Sequence, residues 1–169
     1  MHPLVKIAKD AVEFYVREGK TLPLREDGLP PDLKERAGVF ICLKINGSLR
    51  GCIGTFQPTE PTIAHETVRN AISAATCDPR FLCVRTEELD RIEYTVDVLT
   101  PPEPVADMSG LDARRYGVIV QAGGRRGLLL PDLEGVDTVK DQISIAMQKA
   151  GIPQGSPVNL FRFEVKRYT

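Results

Sequence analysis

An α+β fold on a mostly antiparallel sheet is what this sequence predicts, and three observations carry that reading. Strand-like and helix-like segments are interleaved without the strict strand-helix-strand rhythm of a parallel sheet. Two hairpin signals, Asn46-Gly47 and Ala122-Gly123-Gly124, each separate apolar runs. Residues 91–99 alternate, with Ile92, Tyr94, Val96 and Val98 on one face and Glu93, Thr95 and Asp97 on a wetter one.

The elements follow in order. Residues 2–18 place Leu4, Ile7, Ala8, Ala11, Val12, Tyr15 and Val16 on a helical stripe that Gly19 stops. Residues 21–37, rich in proline and charge, read as a wrapped loop that covers something. The apolar run from Val39 predicts a strand covered on both faces, returning through Asn46-Gly47 as a second strand. Residues 60–76 read as a helix capped by Thr59 and ended before Pro79, with Ala71, Ala74 and Ala75 allowing close approach to a sheet. Pro101, Pro102 and Pro104 break the chain, so a lobe boundary is expected near 100–105 within one domain spanning 1–169. A second hairpin, with Arg125 and Arg126 at its tip, precedes a helix that opens at Asp137 or Thr138 and ends at Gly151. Residues 158–168 close the fold as one strand with Phe161, Phe163 and Val165 buried.

Composition narrows the function classes. Hydrophobic residues make up 42% of 169, enough for a core in a chain the size of one ordinary domain. Basic residues number 22 against 23 acidic, which leaves no electrostatic footprint for duplex nucleic acid or an anionic membrane. No apolar run is long enough to span a bilayer, and the N-terminal segment reads as an amphipathic helix rather than a signal peptide, so the cytoplasm is the expected location. The cysteines at 42, 52, 77 and 83 form no C-x-x-C pair, and two histidines complete no zinc set, so neither metal nor cofactor is expected and the thiols are expected reduced.

Chemistry concentrates in residues 48–56, where a cation, a thiol and two glycines fall together. Alternation puts Arg50, Cys52 and Gly54 on one face and Gly51, Ile53 and Thr55 on the other. A cation two residues from a thiol favours thiolate, and glycine leaves room for a ligand at the backbone. With a two-residue turn, Ile41 faces Cys52 and Cys42 faces Gly51, which excludes a disulfide between Cys42 and Cys52. A three-residue loop would shift the register and reverse that conclusion.

Each candidate has a plain structural reading beside the functional one. Cys52 is a packed strand thiol or a nucleophile, with burial raising and Arg50 lowering its pKa. Arg50 is a surface cation or an anchor for carboxylate or phosphate. Asp78 and Arg80 are an ion pair that caps a helix or two site groups. His65 is a packed or solvated histidine or a base for Cys52. Arg125 and Arg126 hold a solvated turn or, beside Gly123-Gly124, bind an anion.

Leu49-Arg50-Gly51-Cys52-Ile53-Gly54-Thr55, the stretch from Asn70-Ala71 to Asp78-Pro79-Arg80-Phe81, and Gly127-Leu128-Leu129-Leu130-Pro131 resemble successive signatures of the AMMECR domain family, over nearly the whole chain. Tyr116 to Val120 and Leu130 to Thr138 are similar to the small bacterial form encoded with a Memo-like protein and a radical SAM protein. The resemblance implies a two-lobed α+β fold with flanking helices, the Arg50 to Gly54 strand lining an interlobe cleft, and a bacterial or archaeal cytoplasmic source. It implies no reaction. The leading expectation is an accessory protein that binds a small or peptide-like anionic ligand through Arg50, Gly51, Gly54, Asp78 and Arg80, beside Memo-like and radical SAM partners. An enzyme with Cys52 as nucleophile is the second reading, and nucleic-acid or translation-linked binding, weakened by the charge balance, is the third.

Overall fold

The computed structural model describes residues 1–169. In chain order the elements are α1 (Pro3–Glu18), β1 (Val39–Ile45), β2 (Ser48–Thr55), α2 (Ile63–Thr76), β3 (Ile92–Leu99), β4 (Glu103–Val105), β5 (Gly117–Ala122), β6 (Arg125–Leu129), α3 (Val139–Ala150), β7 (Asn159–Phe163) and β8 (Val165–Tyr168). They form two four-stranded sheets, ordered β2-β1-β3-β8 and β4-β7-β5-β6. The pairings β1-β2, β1-β3, β4-β7, β5-β6 and β5-β7 are all antiparallel, so the class is α+β. The chain divides into one unit of Met1–Leu99 with Lys166–Thr169 and a second of Thr100–Val165.

In the first unit the helices are set by their ends. α1 starts on Pro3 with the His2 ring accepting from the Leu4 N–H, and stops where Gly19 turns left-handed at φ 68°. α2 starts later than Thr59: Thr62 is its cap. Thr59 and Glu60 instead form a loop whose N–H groups donate to the fully buried Glu66 carboxylate at 2.8 and 2.7 Å, joined by the hydroxyls of Thr55 and Thr59. Burial pushes that carboxyl up, but the four hydrogen bonds outweigh it and hold it low. Val39, Ile41 and Leu43 of β1, Val96 of β3, and the small residues Ala8, Ala11, Ala64, Ala71 and Ala74 of the helices make the core.

The helices lie close because glycine permits it. A Cβ on Gly51 would stand 2.2 Å from the Ala74 carbonyl oxygen of α2. The second unit repeats the arrangement: a Cβ on Gly127 of β6 would meet the Ala146 carbonyl oxygen of α3 at 2.0 Å. α3 is capped by Thr138 and ends at Gly151, φ 66°, as its sequence predicts. Its core is Val118, Val120, Leu129, Ala146, Met147 and Ile152. Buried Gln142 donates to the Tyr116 carbonyl at 2.9 Å.

Besides the later start of α2, three expectations change. The closing strand is two strands, β7 and β8, broken at Glu164 and shared between the two sheets, because Val165 begins new pairing beside β3. The proline-rich segment contains the short edge strand β4, where Pro104 forfeits no needed ladder bond. Asp97, placed on a wet face by alternation, is 3% exposed and held by both Nε and Nη2 of Arg167 at 2.8 Å. Arg125 is exposed at the solvated turn of the second hairpin, and it also donates to the Gly151 carbonyl at the end of α3.

Alanine at Gly51 or Gly127 should therefore cost about 2–3 kcal/mol, because the opposing atom is backbone and cannot rotate away. Gly28→Ala, where nothing lies within 4 Å, is the control, expected within roughly 0.5 kcal/mol of wild type. Urea denaturation of the three variants checks this. Equal midpoints would show that the helices can withdraw at no cost.

Candidate functional site

Asn46 and Gly47, φ 51° and 75°, form the two-residue turn that their types predict, with Ile45 opposite Ser48. Register then shifts: Lys44 faces Leu49 while Leu43 faces Gly51, leaving Arg50 as the extra residue of a β-bulge. The two-residue turn was expected to put Ile41 opposite Cys52. The bulge overturns that, and Cys42 faces Cys52. Past the bulge, Gly51 and Thr55 look toward α2, where the Thr55 hydroxyl reaches Glu66. Cys42, Cys52, Phe40 and Gly54 share the opposite face by alternation. Both thiols are half-buried, on the face turned away from α2.

β2 ends its sheet, and its outer edge is closed by a side chain. The Cys52 N–H donates to Asp78 Oδ2 at 2.9 Å. Asp78, 4% exposed, also accepts from the Arg80 N–H at 3.1 Å and from Arg80 Nε and Nη2 at 3.0 and 2.8 Å. Arg80 Nη2 lies 3.5 Å from the Cys52 carbonyl as well. Asp78 and Arg80 thus pair, as one reading held, but they serve the strand edge rather than the end of α2. The Arg80 guanidinium holds the Asp78 carboxyl far below the usual carboxylate range, against the effect of burial.

Arg50 is tied down differently. Its Nε and Nη2 donate to the two oxygens of Glu88, in the 3₁₀ turn Thr86–Arg91, at 2.8 and 3.0 Å, a forked ion pair with both side chains largely buried. Its Nη1 is buried without a partner. The pair keeps the Glu88 carboxyl below its ordinary range. The Phe81 ring meets two guanidiniums, at 5.8 Å from Arg50 and 5.6 Å from Arg80. Around them opens a pocket of about 610 Å³, lined also by Leu82, Cys83, Arg85, Glu87 and Arg91. Arg50 and Arg80 therefore meet at one pocket; Gly51, Cys52, Gly54 and Asp78 do not line it.

Neither glycine leaves room for a ligand: α2 fills the space at Gly51, and the Phe40 ring, 2.2 Å from a Cβ on Gly54, fills the other. The His65 ring is engaged at 2.8 Å with Thr62 at the start of α2, on the far face of the sheet from Cys52. Within the thiol pair, its Cys52 neighbour draws the Cys42 thiol down to about 7, despite burial. The same contact and burial push Cys52 up. Cys42, a residue no motif singled out, is the thiol of the pair that is held down. Glu88, Arg85 and Arg91 were also missed as site groups, since Thr86-Glu87-Glu88-Leu89 shows only a short helical turn and Glu88 finds its partner 38 positions away.

Asp78→Asn should cost about 1.5–3 kcal/mol near neutrality, the worth of hydrogen bonds to a charged group. Because the folded-state pKa is depressed, this stabilisation is complete above the unfolded value near 4 and is lost as pH falls through the folded one. The stability gap between wild type and variant should narrow from pH 6 to pH 2.5 in denaturant titrations. A gap independent of pH would show that the carboxylate charge does not hold the edge.

The AMMECR1 family model matches residues 5–168. A Thermotoga maritima protein is 56% identical over 99% of this chain and 97% of its own length. A Clostridium acetobutylicum protein is 43% identical over 98% of this chain but only 36% of its own, so there the same domain is one part of a longer polypeptide. The crystal structure of uncharacterized protein PH0010 from Pyrococcus horikoshii superposes with a TM-score of 0.89 at 33% identity, covering 97% of this chain and 88% of that one. With the family model matched from the first helix to the last strand, this chain belongs to the AMMECR1 family.

Proposed function

We propose that this protein is an accessory binding module whose ligand carries an anionic group and an apolar part, and that it works beside a Memo-like and a radical SAM protein. The observation that carries the ligand class is the pocket: four arginines against two glutamates, with the Phe81 ring and the 80% exposed Leu82 beside them. Arg50 and Arg80 are neutralised by Glu88 and Asp78 and act as fixed walls. Arg85 and Arg91 make no salt bridge, and they supply the charge a carboxylate or phosphate would meet. The partner assignment rests on the resemblance of residues 116–120 and 130–138 to the small form encoded with those two proteins. The Clostridium acetobutylicum relative, in which the domain shares its chain with further sequence, is consistent with a domain that works beside others. No helix is long and apolar enough to cross a membrane, and the near-neutral charge offers little to nucleic acid. A cysteine-dependent activity is the second reading, favoured by the thiol pair, with Cys42 rather than Cys52 as the thiolate.

Melting the full chain with inorganic phosphate and with phenyl phosphate tests the ligand class. At about ten times its Kd a ligand stabilises by roughly 1.4 kcal/mol, a rise of about 3–5 °C for a chain of this size. Phenyl phosphate should exceed phosphate at equal concentration, and Arg85→Gln with Arg91→Gln should abolish the rise. An unchanged rise in the double variant, or none in wild type, rejects the pocket. Arg50→Ala is not a clean probe, since stranding Glu88 should itself cost about 1.5–3 kcal/mol. Co-expression with the Memo-like and radical SAM proteins, followed by size exclusion, tests the partners; three independent elution peaks would reject them.

A further inference from the structure

We propose that Cys42 and Cys52 are a thiol–disulfide pair that closes into a cross-strand disulfide by exchange with small disulfides such as oxidised glutathione. The inference is independent of the arginine pocket, which neither residue lines.

Register supplies the first ground. The bulge at Arg50 sets Cys42 directly opposite Cys52, whereas an unbulged hairpin would set Ile41 there. The kind of pairing supplies the second. In an antiparallel ladder a residue's N–H and C=O point to the same side, and those of Cys52 point outward, to Asp78 and Arg80. Cys42 and Cys52 are therefore a non-hydrogen-bonded pair, the narrow kind with Cα atoms about 4.5 Å apart and side chains closest. That lies within the span of about 4.4–6.8 Å that a disulfide bridges, so closure asks for side-chain rotation and no strand movement. Cys77 and Cys83 stand apart from this pair, each exposed and engaged at Thr76.

Chemistry agrees with placement. Cys42 is the thiol held down, first by its contact with Cys52 and against burial, with Lys44 and Arg167 also favouring its anion and Asp97 opposing it. On Cys52, Arg80 favours the anion and Asp97 opposes it. The Cys42 thiolate attacks one sulfur of the small disulfide, forming a mixed disulfide and releasing one thiolate. Cys52, giving its proton to that thiolate, attacks Cys42 Sγ and expels the second. The second expelled thiolate takes back from water the proton that Cys42 lost on ionising, so that, counted from the dithiol, the protein loses two electrons and two protons and the small disulfide leaves as two thiols.

The reduced full chain is incubated with oxidised glutathione, quenched in acid, alkylated and mapped by mass spectrometry. The expected product lacks two hydrogens, links the peptides bearing Cys42 and Cys52, and keeps Cys77 and Cys83 alkylated. Cys52→Ser should stop at a stable glutathione adduct on Cys42, and Cys42→Ser should react several-fold more slowly than wild type. The proposal is overturned if wild type keeps four alkylatable thiols. It is equally overturned if glutathione stays on Cys42 without closure, or if the link formed involves Cys77 or Cys83.

Discussion

The Asp78 carboxylate is the joint on which the first unit's chemistry depends. One group takes the outward N–H of Cys52 and three donors of Arg80, so a single turn residue both seals the edge of β2 and orients a guanidinium. Sealing matters because an open edge strand invites pairing with another chain. Orienting matters because Arg80 then stacks on Phe81, and Phe81 meets Arg50, which Glu88 has already fixed. The pocket is thus the end of a chain of contacts that starts at the strand edge. Its walls are preformed, so a ligand that enters loses little in ordering them.

The glycines of the family-like segments belong to a packing scheme rather than to a ligand. Gly51 and Gly127 each lie under a helix carbonyl, while Gly54 and Gly117 each lie under a phenylalanine ring, Phe40 and Phe163, supplied by the residue directly across the ladder. The same two devices in both units argue for a common physical need. A helix carbonyl can lie directly over a strand only where that strand offers no side chain, and a bare strand glycine is well covered by an aromatic from its neighbour.

Much of this was legible from residue types alone. Periodicity located α1, the strand of residues 92–99 and α3, and Thr138, Gly151 and Asn46-Gly47 act at the ends and the turn that their chemistry dictates. Of the Arg50 to Gly54 stretch, Arg50 lines the pocket and Cys52 faces a second thiol. What escaped is non-local. Glu88 lies 38 positions from Arg50 and Arg167 lies 70 from Asp97, and neither pairing leaves a trace in a local window. The bulge is harder still, for its flanking turn is entirely regular and only pairing with Leu43 and Lys44 reveals the extra residue.

That one extra residue decides what β2 can do. Without it, strict alternation would set Arg50 and Cys52 side by side on one face, with a cation free to acidify the sulfur and to hold an anion against it. The bulge breaks the alternation between them. Arg50 is re-aimed into the forked pair with Glu88 and becomes a pocket wall, while Cys52 is moved one step along β1 to meet Cys42. The register brings two thiols into contact: that contact and burial push Cys52 up, while the contact draws Cys42 down against burial. The proposed anion recognition and the proposed thiol chemistry consequently belong to different parts of the same strand, one to its edge and the other to the face turned away from α2.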